Sequence, residues 1–456
     1  GGTRFGGALP IEDAWAMGID HVAIAAGAGR PTIIDIKNNL ARGIRKASDF
    51  LMALQLTGAF KKEALSNLQA RLPAVVIGGG LTGVDTATEL MAYYPIQVEK
   101  TLDRYETLVA ELGEARVRGM LDAEEQSTLD EFLVHGRAVR AERARAAGAG
   151  ELPNFIDMIR GWGGITLAYR KRMQDAPAYR LNHEEVALAL QEGISFTENM
   201  NPVEAISDEF GHVKAMVFTR ADGSRVELPA RTVLVAAGTA PNVIYEKEYP
   251  GTFTLDGKQK FFQGFKAVKR DGQFALEPDA NGFFTSHNTN GKFVTYYGDN
   301  HPRYNGNVVK AMASAKHGYP RVVELFADEI ARLDRSAQPQ REAAWQALVS
   351  KLDGQLLARV ERVVRLTPTI VEVIVRAPAA ARHFQPGQFY RLQNFERTST
   401  RVGADRHVAA LLMEGIALTG AWVDREQGLL SLITLEMGVS SRLCAYLQPG
   451  EPVVVM

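Results

Sequence analysis

The sequence predicts an α/β chain: two interleaved Rossmann-type nucleotide-binding domains with a helical insertion, followed by an antiparallel β-barrel left incomplete. Three observations lead there. A β-branched run, residues 75–77, enters a glycine cluster and then a helix-like stretch. An apolar strand, a small-residue turn and a proline occur twice, at residues 21–31 and again at 232–242, and this echo fits one nucleotide-binding domain nested in another. From Gln355 the texture changes to short alternating strands (LLARVERVVRL, IVEVIVRA, GQFYRLQ, GIALTGAWVD, LLSLITLE), the spacing of an antiparallel barrel.

The glycine cluster VVIGGGLTGVDTATE carries the most information. Gly78, Gly80 and Gly83 have the G-x-G-x-x-G spacing of a dinucleotide-binding βαβ unit, with Gly79 and Thr82 inside the same turn. Gly78 allows the tight turn, Gly80 lets the backbone approach a pyrophosphate, and Gly83 lets the helix pack close to the strand. The helix start then presents free N–H groups and a positive dipole end to phosphate, with Asp85 read as a first-turn carboxylate that the dipole favours. The competing reading is a structural glycine-rich turn.

Bulk properties bound the alternatives. A chain of 456 residues accommodates two to four domains, and its 46% apolar and 23% charged residues are ordinary for a globular enzyme. A formal charge of −1 gives no reason to expect nucleic acid or an anionic membrane as partner, and no apolar run is long enough to span a bilayer. The single cysteine, Cys444, forms no internal disulfide or C-x-x-C pair, which points to a reducing, cytoplasmic setting. His183, His287, His301 and His317 lack metal-ligand spacing, so no metal ligand is expected. No Ser–His–Asp or paired-carboxylate arrangement occurs, and no side chain is assigned as catalytic. The first residue, Gly1, is not an initiator methionine and the last run, EPVVVM, is strand-like; both read as cuts within a longer protein.

Between the main motifs, residues 47–55 read as a helix. Residues 98–147 are charge-rich, with Val98, Leu102, Tyr105, Leu108, Val109 and Leu112 on one helical face, and AGAGELP at 147–153 breaks the pattern. A packing or interface hairpin is the plainer reading of this insertion. Strand-like GGITLAYRKR follows, then a helix, the strand ISF and a hairpin turning at Asp222-Gly223. Residues 292–318 read as a strand, Gly298-Asp299, a loop and a long helix, and residues 330–346 as a helical linker.

Taken in order, GGG-x-T-G-x-D, YRKR, EGISF, VLVAAGTAPN and GDN…GNVVKAMASAKHG resemble the glutamate synthase small subunit and its relatives, FAD-dependent NAD(P)H oxidoreductases with two interleaved Rossmann domains. The resemblance runs from Gly1 to about Pro320, broken by the insertion. PGQFYRLQ and LEMGVSSRLCAYLQPGEPV resemble the flavin barrel of ferredoxin-reductase-like electron-transfer subunits, such as that of dihydroorotate dehydrogenase. The pairing is similar to NADH-dependent ferredoxin:NADP oxidoreductases and sulfide dehydrogenases. The implied organisation is a partial FAD-binding domain at 1–72, an NAD(P)-binding domain at 73–240 with insertion 98–160, a return to the FAD domain at 241–330, a linker helix at 331–352 and the barrel at 353–456.

The resemblance also implies cofactors and sites. FAD and NADP(H) are expected, with NAD(H) left open, and iron–sulfur clusters only in parts of the protein beyond these residues or in a partner carrier. The remaining domains of the full-length protein, an iron–sulfur carrier and a second copy of the chain are the expected partners. Gly27 and Gly238 end the two echoed strands at nucleotide sites. Gly298 and Asp299 would meet the ribityl of FAD, and the helix starting at Asn307 and Val308 would aim its positive end at the flavin pyrimidine. Arg170 and Arg172, at the end of the strand after the glycine-motif helix, would pair a ribose 2′-phosphate; Glu99 is the competing ribose acceptor. In the barrel, Tyr390 would stand beside the flavin, with Gly438, Ser440 and Ser441 offering donors to its phosphate. Two departures stand out: MEGIA at 413–417 replaces an expected arginine, and GGTRFGG at 1–7 is no substitute for a first G-x-G-x-x-G before His21. They motivate the alternative of a non-catalytic scaffold holding partner subunits. A synthase subunit supplying electrons to a separate amidotransferase is a third reading.

Overall fold

A computed structural model describes residues 2–403 and 408–456. Gly1, where the expected first domain begins, and residues 404–407 within the expected barrel lie outside the described residues. The chain forms two compact units: one includes residues 2–30, Thr239–Gly403 and Ala410–Met456, the second Pro31–Gly238.

The second unit is organised on a five-stranded parallel sheet in the order Ile44–Lys46, Thr232–Val235, Ala74–Ile77, Ile165–Ala168, Ser195–Thr197. All four residues of Ala74–Ile77 are buried, as expected of a central parallel strand covered on both faces. From that strand the chain winds outward through Ile165–Ala168 to Ser195–Thr197, then returns to Thr232–Val235 on the other side. The reversal makes a topological switch point beside Ile77, where ligands of such sheets bind. Phe50, Leu54, Leu90, Tyr93, Tyr94 and Ile159 fill the core. A three-stranded antiparallel sheet, Asn201–Ser207, Val213–Thr219 and Arg225–Pro229, completes the unit, and its second turn is held by Asp222 accepting from the Ser224 amide.

Two expectations about this unit need correction. Residues 31–72 do not belong with a separate partial domain: Ile44–Lys46 pairs with Thr232–Val235, and the helix Ala47–Leu56 buries Phe50 and Leu54 in the same core. The insertion also has no seam at residue 98. The helix leaving the glycine turn continues for 32 residues, Leu81–Leu112, through Pro95, and ends at Gly113. Its distal half pairs with the helix Ala123–Ala149, whose Asp122 and Glu125 form a reciprocal capping box. Gly136 allows the close approach, since a Cβ there would stand 2.6 Å from the Val98 carbonyl oxygen. Arg140 bridges Asp103 and Glu106, and Arg143 bridges Glu99.

The other unit contains a mixed sheet and a barrel. In the sheet, His21–Ile24 lies at one edge, parallel to Lys292–Tyr296; Phe284–Thr289, Phe265–Arg270 and Gln273–Pro278 follow antiparallel. The helix Gln338–Leu356 covers most of the expected linker. The barrel is closed rather than incomplete: Ala358–Thr367, Ile370–Arg376, Leu429–Leu435, Ile416–Asp424, Phe389–Asn394 and Pro452–Val455 form an antiparallel ring. Alternate inward residues such as Val371, Val373, Leu392, Leu430 and Leu432 are its fully buried core.

Candidate functional site

The glycine turn is built so that three glycines are enclosed and one is open. A Cβ at Gly78, where φ is +150°, would lie 2.2 Å from the Ala236 carbonyl oxygen on the neighbouring strand end. At Gly79 it would enter the Tyr169 ring at 2.5 Å, and at Gly83 it would meet the Gly78 carbonyl oxygen at 2.9 Å. At Gly80 it would meet nothing within 4 Å. Gly80 caps the long helix without any side-chain acceptor, so the first-turn amides of that helix meet no capping side chain. Thr82 is exposed on that first turn. Gly238 follows the adjacent strand at φ +95°, its carbonyl accepting from the Thr32 amide at 2.9 Å. Asp85 lies beyond the first turn. Burial, with Glu185 and Glu89 nearby, raises its carboxyl, the opposite of the dipole effect expected.

A basic loop borders this turn. Tyr169 packs on Gly79, and the Ala178 amide donates to the Gly79 carbonyl at 2.9 Å, so residues 169–178 are tied to the turn at both ends. Arg170, Lys171 and Arg172 are exposed along it. Arg172 Nε donates to Asp175 Oδ2 at 3.2 Å, and Arg180 Nη2 donates to Asp175 Oδ1 at 3.4 Å. The Arg172 guanidinium holds the Asp175 carboxyl below its ordinary range. The competing ribose acceptor, Glu99, is removed from this place: it lies mid-helix, nineteen residues past Gly80, and pairs with Arg143 at 2.9 Å. At about 1.5 Å of rise per residue that is roughly 28 Å along the helix.

In the other unit, a cavity of about 590 Å³ is lined by one face of the edge strand and its continuation (His21, Ala23, Ala25, Gly27), by Tyr297, Gly298 and Asp299, and by the helix Val308–Leu325 through Ala311, Ala315, Tyr319, Val322 and Val323. Gly27 (φ +64°) and Gly298 (φ +63°) both adopt left-handed backbone. Asp299 Oδ1 accepts from the Gly306 amide at 2.8 Å. Asn307 is the helix cap and its side chain already accepts from the Lys310 amide at 2.9 Å; Val308 is 70% exposed. Gly27, Gly298 and Asp299 therefore share one cavity, while Asn307 and Val308 do not line it.

The barrel residues are placed differently from expectation. Tyr390 is buried, stacked against Phe384, with its hydroxyl on Gln388 at 2.9 Å, and its exposed neighbour is Phe389. Ser441 Oγ accepts from the Gly438 amide at 2.9 Å and the Met437 amide at 3.1 Å, so those donors are already satisfied. The helix behind them, Val439–Leu443, is only five residues long, and Ser440 is engaged by the Glu414 amide. Gly438, Ser440 and Ser441 thus form no open phosphate cradle here, and Tyr390, expected beside the flavin, is buried.

No known family profile matches the chain. An uncharacterized protein of Rickettsia prowazekii (strain Madrid E), RP006, is 34% identical over 456 residues, which are 100% of this chain but 56% of that protein. The chain thus spans little more than half the length of the curated relative. Solved structures similar to it include the Staphylococcus aureus bacillithiol disulfide reductase Bdr (12% identity, 67% of this chain, 62% of that one, TM-score 0.32). FprA, a Mycobacterium tuberculosis oxidoreductase, is 14% identical over 76% of this chain and 72% of its own, with a TM-score of 0.39. An NADH-dependent reduced ferredoxin-NADP oxidoreductase matches 23% of this chain and 32% of its own at 18% identity and a TM-score of 0.18. At these scores the structures carry no argument about chemistry. Among the described residues, no helix is long and apolar enough to cross a membrane, and no cluster of His, Cys, Asp or Glu has the form of a metal site.

Sequence reasoning missed Asp175 and Arg180 beside the glycine turn and His21 in the cavity, and took Tyr169 only as the start of the YRKR run. His21 faces Thr295 Oγ1 at 3.0 Å, and burial pushes its imidazole down to about 4. His301, fully buried and stacked on Tyr296, is likewise pushed down to about 4 by burial. Both are lowered from about 6.5, so between these values the unfolded state binds more protons than the folded one. The stability they contribute is complete above about 6.5 and is lost as pH falls through about 4. Urea midpoints followed from pH 7 to 4 should fall accordingly, and His301→Phe, which keeps the ring stack, should flatten that fall.

Proposed function

We propose that the protein is a flavin-dependent NAD(P)H oxidoreductase in which the second unit binds the nicotinamide nucleotide, NADPH in preference to NADH. The observation that carries this reading is the selective openness of Gly80 between three enclosed glycines. A merely structural turn has no need of a missing side chain that would point into open space at ordinary φ and ψ. The residues present fit a diphosphate: a side-chain-free approach at Gly80, uncapped amides at the start of a 32-residue helix, and a position at the sheet's switch point. Arg170, Lys171 and Arg172 supply positive charge where the adenosine ribose would lie.

The cavity of the other unit fits part of a flavin. Its walls are small and apolar at Ala23, Ala25, Ala311 and Ala315, and Asp299 can accept from a sugar-alcohol hydroxyl. A glycine-rich pyrophosphate turn next to His21–Ile24 is not supplied by the described residues, so the cavity accounts for the ring and ribityl portions only. Bound NAD(P)H and flavin would supply the hydride chemistry themselves. The chain's own contribution is to hold the diphosphate on backbone amides, to present cations to the ribose, and to keep water from the apolar cavity. Electrons would continue to an iron–sulfur carrier, in a partner or in other parts of the full protein. Replacing Asp299 with alanine should weaken flavin retention about tenfold, the worth of a hydrogen bond to a charged group, read by the fluorescence of released flavin.

The engagement of Ser441 with its own backbone favours a second reading for the barrel alone, a packing module without cofactor. A visible spectrum of the purified protein, followed by anaerobic titration with NADPH and NADH, tests the proposal. Flavin bands bleached by NADPH support it; a colourless protein that binds neither nucleotide supports a scaffold.

A further inference from the structure

The rim beside the glycine turn holds an anion of its own. One carboxylate, Asp175, is shared by two guanidiniums, one on each oxygen, at 3.2 and 3.4 Å. Both contacts are long for charge-assisted bonds, which centre on about 2.8 Å. Both arginine side chains are 66% exposed, against 29% for the aspartate. Arg180 stands two residues beyond the Ala178 amide that donates to Gly79, and Arg172 three residues beyond the Tyr169 ring that covers Gly79. The two cations therefore flank Asp175 on a segment tied to the turn at both ends, Arg172 on its loop and Arg180 near the start of the helix Pro177–Gln191.

We propose that the Asp175 carboxylate is an internal stand-in for a phosphate monoester, and that Arg180, with Arg172, is a determinant of the choice between phosphorylated and unphosphorylated dinucleotides. This rests on the nucleotide reading of the second unit. A ribose phosphate carries a charge of about −1.5 to −2 and three acceptor oxygens, whereas the carboxylate has one charge and two oxygens. A dianion arriving at the rim displaces the weaker partner and takes both guanidiniums. A dinucleotide without the phosphate leaves the Asp175 pairs in place. Asp175 thus lowers the protein's affinity for the phosphorylated form while keeping both arginines folded toward the turn when it is absent.

The two roles predict opposite signs. Calorimetric titration of the whole chain with adenosine 2′,5′-bisphosphate and with adenosine 5′-monophosphate gives an affinity ratio that needs no flavin and no turnover. Arg180→Ala should lower that ratio about fivefold and Asp175→Asn should raise it about fivefold, on the scale of one exposed ion pair. NADPH and NADH should show the same pattern. An Asp175→Asn ratio that is unchanged or lower, or an Arg180→Ala effect equal on both ligands, overturns the inference while leaving the glycine-turn site standing. If the wild-type chain binds none of the four ligands, the nucleotide reading itself fails, and the inference falls with it. Thermal midpoints of both variants within a few degrees of wild type show that folding is not the cause.

Discussion

If the glycine turn is the nucleotide site proposed above, Gly80→Leu will leave the chain folded and abolish dinucleotide binding, by about two orders of magnitude or more. The backbone at Gly80 has φ −89° and ψ 170°, which any residue adopts, and a Cβ there meets no protein atom within 4 Å. The leucine therefore costs the fold little and occupies the space a diphosphate needs. Gly78→Ala acts the other way. Its Cβ would press on the Ala236 backbone at 2.2 Å from a conformation that L-residues rarely hold, a combination of strain and overpacking worth about 3 kcal/mol or more. The pair separates ligand space from fold space: melting curves should move for Gly78→Ala and stay for Gly80→Leu, and nucleotide titrations should fail for Gly80→Leu in a fully folded sample.

Lys100→Met should be among the most destabilising single changes in the second unit. Lys100 is 4% exposed, and its ammonium donates to the carbonyl oxygens of Ala59, Ser66, Lys61 and Ala64 at 2.6, 2.8, 3.3 and 3.5 Å. One side chain thus gathers four carbonyls of this loop and pins residues 59–66 to the long helix. Arg104, one turn later, adds the Leu65 carbonyl at 3.0 Å. Methionine keeps the volume and removes the donors, leaving the Ala59 and Ser66 carbonyls without this partner, while Lys61 and Ala64 keep the Ala64 amide and Arg104. The expected loss is about 3–5 kcal/mol, as when one partner of a buried charged network is deleted. Denaturant midpoints should show it. Lys100→Arg should recover part of the loss because its donors reach some of the same oxygens.

The strand, turn and helix at residues 74–83 were legible because glycine spacing reports backbone geometry directly, and the barrel because period-two alternation survives in each of its strands. The continuation of the helix into residues 98–112 was not: the sequence turns charge-rich there, so composition shifts without any change in backbone. Residues 31–72 were misplaced because parallel pairing with Thr232–Val235 spans far more sequence than any local pattern covers. In the barrel the signal was present and underused. Arg391 on Phe389–Asn394 faces outward, which by alternation turns Phe389 outward too and buries Tyr390 and Leu392. Ser441 was read as a donor to phosphate, yet a serine three residues past Gly438 is also placed to cap that glycine's own amide. Arg180 escaped notice because Pro177 separates it from the YRKR run, and only the folded loop returns it to Asp175.

Amide hydrogen exchange of the intact chain, with and without saturating NADPH, tests the central claim most directly. The structure predicts slowed exchange at residues 79–84 and along residues 169–180, where backbone amides and the basic loop surround the opening left by Gly80. Exchange there that NADPH leaves unchanged, with any protection confined to other segments, would contradict it.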